Sequence, residues 1–194
     1  MICNCEGPVG SRGLRKFPYW GRLWRIESNG DWSRLYEQKL GENINHENWN
    51  HTGEHIVYHG NKYSNYRQRL FQTMIKVLWK LNVISKEQLQ RNLNHYVEAR
   101  DWDGSLVFHF PVKMPVSHAV SAGGRNFIID SRDGYLYLVK EDRDENFKVE
   151  KLCIHNSDMS NQDAHPHPVP TNDKKSILFT SSKEGTCNVY EVEI

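Results

Sequence analysis

The amino-acid sequence predicts an all-β chain, and three observations carry that prediction. Apolar runs are short, polar–Gly pairs separate them, and one strand register recurs three times. The first strand is Arg22-Leu-Trp-Arg-Ile26, followed by the turn Ser28-Asn-Gly-Asp31 and a second run from Ser33 to Gln38. The same grammar returns at Ile56–His59, Phe127–Asp130, Tyr135–Val139, Phe147–Leu152, Ile177–Thr180 and Cys187–Val192. Asn29-Gly30, Asp133-Gly134 and Glu184-Gly185 supply the turns, because glycine reaches backbone conformations that other residues resist.

The recurring register is a histidine ten residues ahead of an apolar strand: His46 before Ile56, His118 before Ile128 and His167 before Ile177. A turn sits between the two each time, at Thr52-Gly53, Gly123-Gly124 and Asn172-Asp173. His118 and His167 are 49 residues apart, close to the roughly 40–50 residues of one four-stranded propeller blade. The spacing therefore predicts a partial β-propeller of about three and a half to four blades over residues 1–194. If each apolar strand is the innermost of its blade, loops entering those strands share one mouth, and the three histidines converge there. An open arc of blades also leaves strand edges through which copies of the chain could associate.

His46 and His118 are 72 residues apart, and the excess has a location. From Tyr66 to Leu81 the apolar residues keep the spacing of an amphipathic helix. Ser85-Lys-Glu-Gln88 has the form of a capping box, and Leu89, Leu93, Tyr96 and Val97 continue an apolar face. Residues 64–98 read as an inserted helical hairpin, an extra packing element on the rim.

Bulk properties exclude several classes of function. An apolar fraction of 38% with 25% charge is that of a folded globular chain. A net charge of +1 gives no electrostatic reason to bind nucleic acid or a membrane surface. No apolar run approaches the roughly 20 residues of a membrane span, and the first twelve residues lack the apolar stretch of a secretory signal. The four cysteines, at 3, 5, 153 and 187, lack zinc-knuckle spacing and read as reduced thiols of a cytoplasmic protein.

Chemistry concentrates in Gln162-Asp-Ala-His165-Pro-His167. Histidines at i and i+2 in an extended segment face one side and suit a single metal ion. An amide oxygen beside them favours Mn²⁺ or a related octahedral ion over zinc. The other reading is a solvated His/Pro-rich loop; the register that links His167 to His118 favours the metal. His46 is a natural general base, since an ordinary histidine titrates near neutral pH. Arg22 could pair with a substrate carboxylate or face solvent as a plain strand residue.

Taken in order, Glu6-Gly-Pro8, Arg22-Leu-Trp24, His46-Glu-Asn-Trp49 with Gly53, Ser117-His118, Gln162-x-x-His165-x-His167 and Ile177-Leu-Phe-Thr-Ser181…Cys187-Asn-Val-Tyr190 resemble the oligogalacturonate lyases. The resemblance implies the C-terminal half of a seven-bladed propeller that cleaves oligogalacturonides from pectin inside cells, with Mn²⁺. It implies that His118, Gln162, His165 and His167 hold the metal, that His46 is the base and that Arg22 assists. The reaction would be β-elimination: His46 takes the C5 proton, and loss of the C4 oxygen leaves an unsaturated uronic acid. The sequence offers no carboxylate pair of the glycoside-hydrolase kind, in keeping with a lyase. The other expectations are a non-catalytic propeller binding module of the TolB type, or an inactive fragment of a lyase.

Overall fold

The computed structural model describes residues 2–4, 22–37, 39, 42–62, 66–84, 94–142 and 146–194. The side chains of residues 2–4, 22, 66–69, 72, 73, 76 and 162 fall outside that description. The described residues form fourteen strands in four sheets and one α-helix. β1 (Ile2–Asn4), β2 (Arg22–Ile26) and β3 (Trp32–Glu37) make the first sheet. β4 (Glu42–Trp49), β5 (Ile56–Lys62), β6 (Asn94–Arg100) and β7 (Leu106–Val112) make the second, with α1 (Tyr66–Lys80) between β5 and β6 in sequence. β8 (Val116–Gly123), β9 (Asn126–Ser131), β10 (Tyr135–Glu141) and β11 (Phe147–Ile154) make the third. β12 (Val169–Pro170), β13 (Ser176–Ser181) and β14 (Asn188–Glu193) make the fourth. In every sheet spatial order follows sequence order, even where α1 separates β5 from β6 along the chain.

The all-β expectation holds, and each strand read from the sequence is present within a residue or two at its start. The strands not anticipated are β1, β4, β6, β7, β8 and β12. Two of these change the meaning of the histidine register. His46 lies on β4 and His118 on β8, so the apolar strand ten residues later is the second of its sheet, not the first. β4 (Glu-Asn-Ile-Asn-His-Glu-Asn-Trp) and β8 (Val-Ser-His-Ala-Val-Ser-Ala-Gly) scatter their few large apolar residues among polar and small ones, so they lack the apolar run that marks a strand.

The helical insert is corrected in part. α1 occupies the predicted segment, while the proposed capping box at Ser85 and the helix through Leu93 lie outside the described residues. Tyr96 and Val97 are not helical. They belong to β6, which pairs with β7 in antiparallel register. Both are buried, and the Tyr96 hydroxyl donates to Glu42 Oε1 at 2.9 Å. Pairing with a distant strand decides the conformation there over local periodicity. Among the described residues, no helix is long and apolar enough to cross a membrane.

By internal contacts the chain divides into two compact units, one of Met1–Glu47 and Tyr58–Lys113, the other of Asn48–Val57 and Met114–Ile194. The interior of the first is unusually polar. Tyr36 Oη donates to Glu42 Oε2 at 2.6 Å, Tyr58 Oη donates to Glu98, and the Arg100 guanidinium sits 3.9 Å over the Tyr36 ring. Burial, reinforced by the neighbouring Glu98 and Glu42, pushes the Tyr58 and Tyr96 hydroxyls far above the ordinary tyrosine pKa. Gly60 makes this packing possible: a Cβ there would lie 2.4 Å from Tyr96 Oη and 2.7 Å from the carbonyl of Asn43.

The second unit has an apolar cluster of its own. Ala122 of β8, Ile128 of β9, Leu138 of β10 and Ile177 of β13 form one buried cluster, flanked by Val120, Leu152 and Val192. It joins the third sheet to the fourth, which brings β8 beside the segment leading into β12. At the tip between β9 and β10, Gly134 has φ 95° and donates its N–H to the Ser131 carbonyl at 3.1 Å, closing the turn that Asp133-Gly134 announces.

Candidate metal centre

His118 is the third residue of β8, directly opposite Asp130 of β9 in the antiparallel ladder. Asp130 is fully buried and serves His118 twice. Its Oδ1 accepts the His118 backbone N–H, and its Oδ2 lies 2.8 Å from His118 Nδ1. A carboxylate accepts and does not donate, so Nδ1 carries a proton, and the neutral form of the ring has its lone pair on Nε2.

His165 follows the 3₁₀ turn Gln162–Ala164. Its Nε2 is 3.0 Å from the Met159 carbonyl, an acceptor only, so the proton sits on Nε2. Nδ1 is then a bare lone pair, buried and without a hydrogen-bond partner. Burial, opposed by the Met159 carbonyl and aided by the Arg132 charge, holds the His165 pKa below the ordinary histidine value. The ring is thus neutral at neutral pH, the form in which imidazole binds metals.

His167 completes the group. Its ring centroid is 4.3 Å from that of His118 and 5.8 Å from that of His165. One ring nitrogen from each of the three histidines lies within 4.8 Å of the others. The expected extended strand through His165-Pro-His167 is not found: the segment leaves a 3₁₀ turn, and His167 has φ 41° in the left-handed region. The shared orientation of the rings therefore comes from a kinked loop, not from strand alternation. Pro166 and Pro168 fix φ on either side, and the Pro166 carbonyl accepts the Thr180 N–H of β13 at 2.8 Å.

The rest of the loop is tied down from several directions. Ser157 Oγ donates to the Thr180 carbonyl at 2.9 Å, and the Asp158 N–H donates to Ser182 Oγ at 3.0 Å. The buried His155 reaches the Ser131 carbonyl through Nε2 at 3.0 Å. These anchors hold the histidines without relying on one another, so the loop is organised before any ligand arrives.

The other predicted residues stand as follows. Gln162 opens the 3₁₀ turn three residues before His165, and its side chain lies outside the described residues. His46 belongs to the first unit, where its ring stacks on His59 at 5.4 Å with 14° between planes. Its φ is 51°, so it shares with His167 a left-handed backbone at the same distance before the apolar strand. Arg22 is the first residue of β2, opposite Glu37, and its side chain too is outside the description. Sequence reasoning missed Asp130 as the partner of His118; the signal was present in Ile128-Ile-Asp130, but only the strand register reveals it. It also missed Arg132, whose charge reaches His165.

The profile of the family described as oligogalacturonate lyase matches residues 18–194. The chain belongs to the oligogalacturonate lyase family. Two solved oligogalacturonate lyases share its fold. One, in complex with manganese, has a TM-score of 0.60 and 20% identity over 89% of this chain and 41% of its own. The other, from Vibrio parahaemolyticus, has a TM-score of 0.61 and 20% identity over 100% of this chain and 46% of its own. This member of the family thus spans less than half the length of either structure. No curated protein matches the sequence at a significant level.

Proposed function

We propose that this chain is the metal-bearing part of an oligogalacturonate lyase and that its four sheets are successive blades of a β-propeller. The observation that carries the reading is the His165 Nδ1 lone pair, buried without a hydrogen-bond partner beside two further imidazoles. Such an atom costs about 1–3 kcal/mol when nothing occupies its lone pair, so the donor set fits a divalent cation. His118, supported by Asp130, and His165, supported by the Met159 carbonyl, have the outer partners that fix metal-binding tautomers. His167 and the amide oxygen of Gln162 would complete a mixed nitrogen and oxygen set suited to Mn²⁺.

When bound, the ion would supply positive charge against a substrate carboxylate, making the neighbouring C–H more acidic. The remaining work falls to the protein's own residues. His46, as a neutral base, would take the C5 proton of an oligogalacturonide, and Arg22 would orient or neutralise a uronate carboxylate. Departure of the C4 oxygen then leaves a C4–C5 double bond. The supporting anchors of the 155–168 loop suit a site whose ligands are held before substrate arrives.

The test is elemental analysis of purified chain loaded with Mn²⁺, paired with ultraviolet detection of unsaturated product from oligogalacturonides. The expected result is about one ion per chain, lost in His165→Ala, and absorbance that grows only with metal present. Metal binding without product would leave a metal-binding remnant of the lyase. Absence of bound metal in folded protein would sink the metal centre itself and favour a non-catalytic propeller.

A further inference from the structure

The turn end of β8 carries a second feature that the histidine cluster does not use. A cavity of about 490 Å³ opens there, within the second unit. That volume lies within the roughly 300–1,000 Å³ of small-molecule sites. Its walls are Asn48, Trp49 and His51, then Val120 to Ala122 of β8, then the run from Pro168 through Asn172 with Lys174. None of the three clustered histidines lines it.

The lining has a definite chemical character. Its ionisable groups are Lys174 and His51, and no carboxylate is among them. The nearest acid along the chain, Asp173, is engaged in its own turn, accepting from Thr171 Oγ1 at 2.8 Å and from the Lys175 N–H at 3.2 Å. Lys174 makes no salt bridge among the described residues. Its stem lies along the backbone of Gly123, where a Cβ would come within 3.1 Å of Cδ and 3.3 Å of Nζ. A side chain at 123 would crowd the lysine, so glycine there leaves room for it. Lys174 itself has φ 59°, held by its N–H donating to the Thr171 carbonyl at 2.9 Å.

One cation, the amides of Asn48 and Asn172, and the partly exposed indole of Trp49 are complementary to an acidic sugar. An indole can cover the apolar face of a pyranose ring and an ammonium can meet its carboxylate; its hydroxyls can meet the Asn172 amide and the Asn48 side-chain oxygen, Asn48 Nδ2 already donating to the Ala119 carbonyl at 3.4 Å. We infer that this cavity is a second carbohydrate site, taking one uronate residue through Lys174 and Trp49 independently of the histidine cluster. The inference stands on the lining alone and holds whether or not the chain turns substrate over.

The experiment is calorimetric titration of the purified, chelator-treated chain with galacturonate, galactose and inorganic phosphate. Wild type is expected to bind galacturonate saturably and more tightly than galactose or phosphate. Lys174→Asn, which suits the left-handed backbone, should weaken galacturonate at least tenfold while leaving galactose unchanged. Lys174→Arg should restore most of the affinity, and His165→Ala should bind galacturonate like wild type. Lack of saturable galacturonate binding overturns the inference. So does loss of binding in His165→Ala with none in Lys174→Asn, which would place the sugar at the histidines. Equal affinity for phosphate and galacturonate also overturns it, since a bare cation site needs no sugar. Circular dichroism of each variant shows that folding is intact, and metal content reports the histidine cluster separately.

Discussion

Replacing Asp130 by Asn tests the support of the His118 imidazole. Asp130 is fully buried and accepts two N–H groups of one residue, the backbone amide and Nδ1 of His118. Asparagine keeps the shape but has a single acceptor oxygen, so one of the two donors must face an NH₂ group. Leaving one buried donor unsatisfied costs about 1–3 kcal/mol of stability. The ring would also lose the acceptor that holds its proton on Nδ1, and removal of such an outer partner lowers metal affinity roughly 10–100-fold. In free energy that is about 1.4–2.7 kcal/mol. Denaturant unfolding of metal-free protein reads the first effect, and calorimetric titration with Mn²⁺ reads the second. The expected outcome is that both fall, with the metal loss persisting at temperatures where the variant is fully folded. Folded Asp130→Asn that binds Mn²⁺ as tightly as wild type would refute the argument that Asp130 orients a ligand.

Other outcomes follow from the same structure. Gly60→Ala places a methyl group 2.4 Å from Tyr96 Oη and 2.7 Å from the Asn43 carbonyl. Such overpacking should cost about 1–3 kcal/mol in a denaturant melt, and a neutral result would mean that the Tyr96 packing is wrong. His167→Asn replaces a left-handed histidine by a residue that enters that region more readily. Metal-free protein should gain up to about 1 kcal/mol, because left-handed strain of that order is relieved, while metal affinity falls. Alkaline pH should destabilise the chain through Tyr58 and Tyr96, whose pKa values are raised by burial and then by neighbouring carboxylates. The sign is fixed because both stay protonated when folded but ionise near pH 10 when unfolded, so stability is full below about 10 and is lost above it. The loss for the pair should be roughly 2 kcal/mol between pH 10 and 11, measured by denaturant unfolding at each pH. Tyr58→Phe should roughly halve that loss, leaving the share of Tyr96.

Strands with apolar cores were legible from residue type, since β5, β9 and β13 each open with or contain a branched or aromatic run that only a buried strand accommodates. Their polar partners β4 and β8 were not, because their histidines, asparagines and serines are stabilised by what the chain later brings beside them. Asn50 shows the principle: its side-chain oxygen accepts the N–H groups of Glu54 and His55 at 2.8 and 3.0 Å, ordering a turn that composition leaves open. The helical periodicity that ran on to Val97 failed for the same reason, since a distant strand and a buried glutamate outweigh local spacing.

The sequence by itself determined the all-β class, the histidine register and the identity of three clustered imidazoles. Side-chain chemistry and spacing are local properties, readable without coordinates. The tertiary structure alone decided that His118 stands opposite Asp130, that His165 presents Nδ1 rather than Nε2, and that His167 reaches the group through a left-handed kink. Each of these depends on strand register or on a hydrogen bond between residues brought together by folding. Which lone pair is free is set by what the other nitrogen meets, and the chain supplies that only once it is folded.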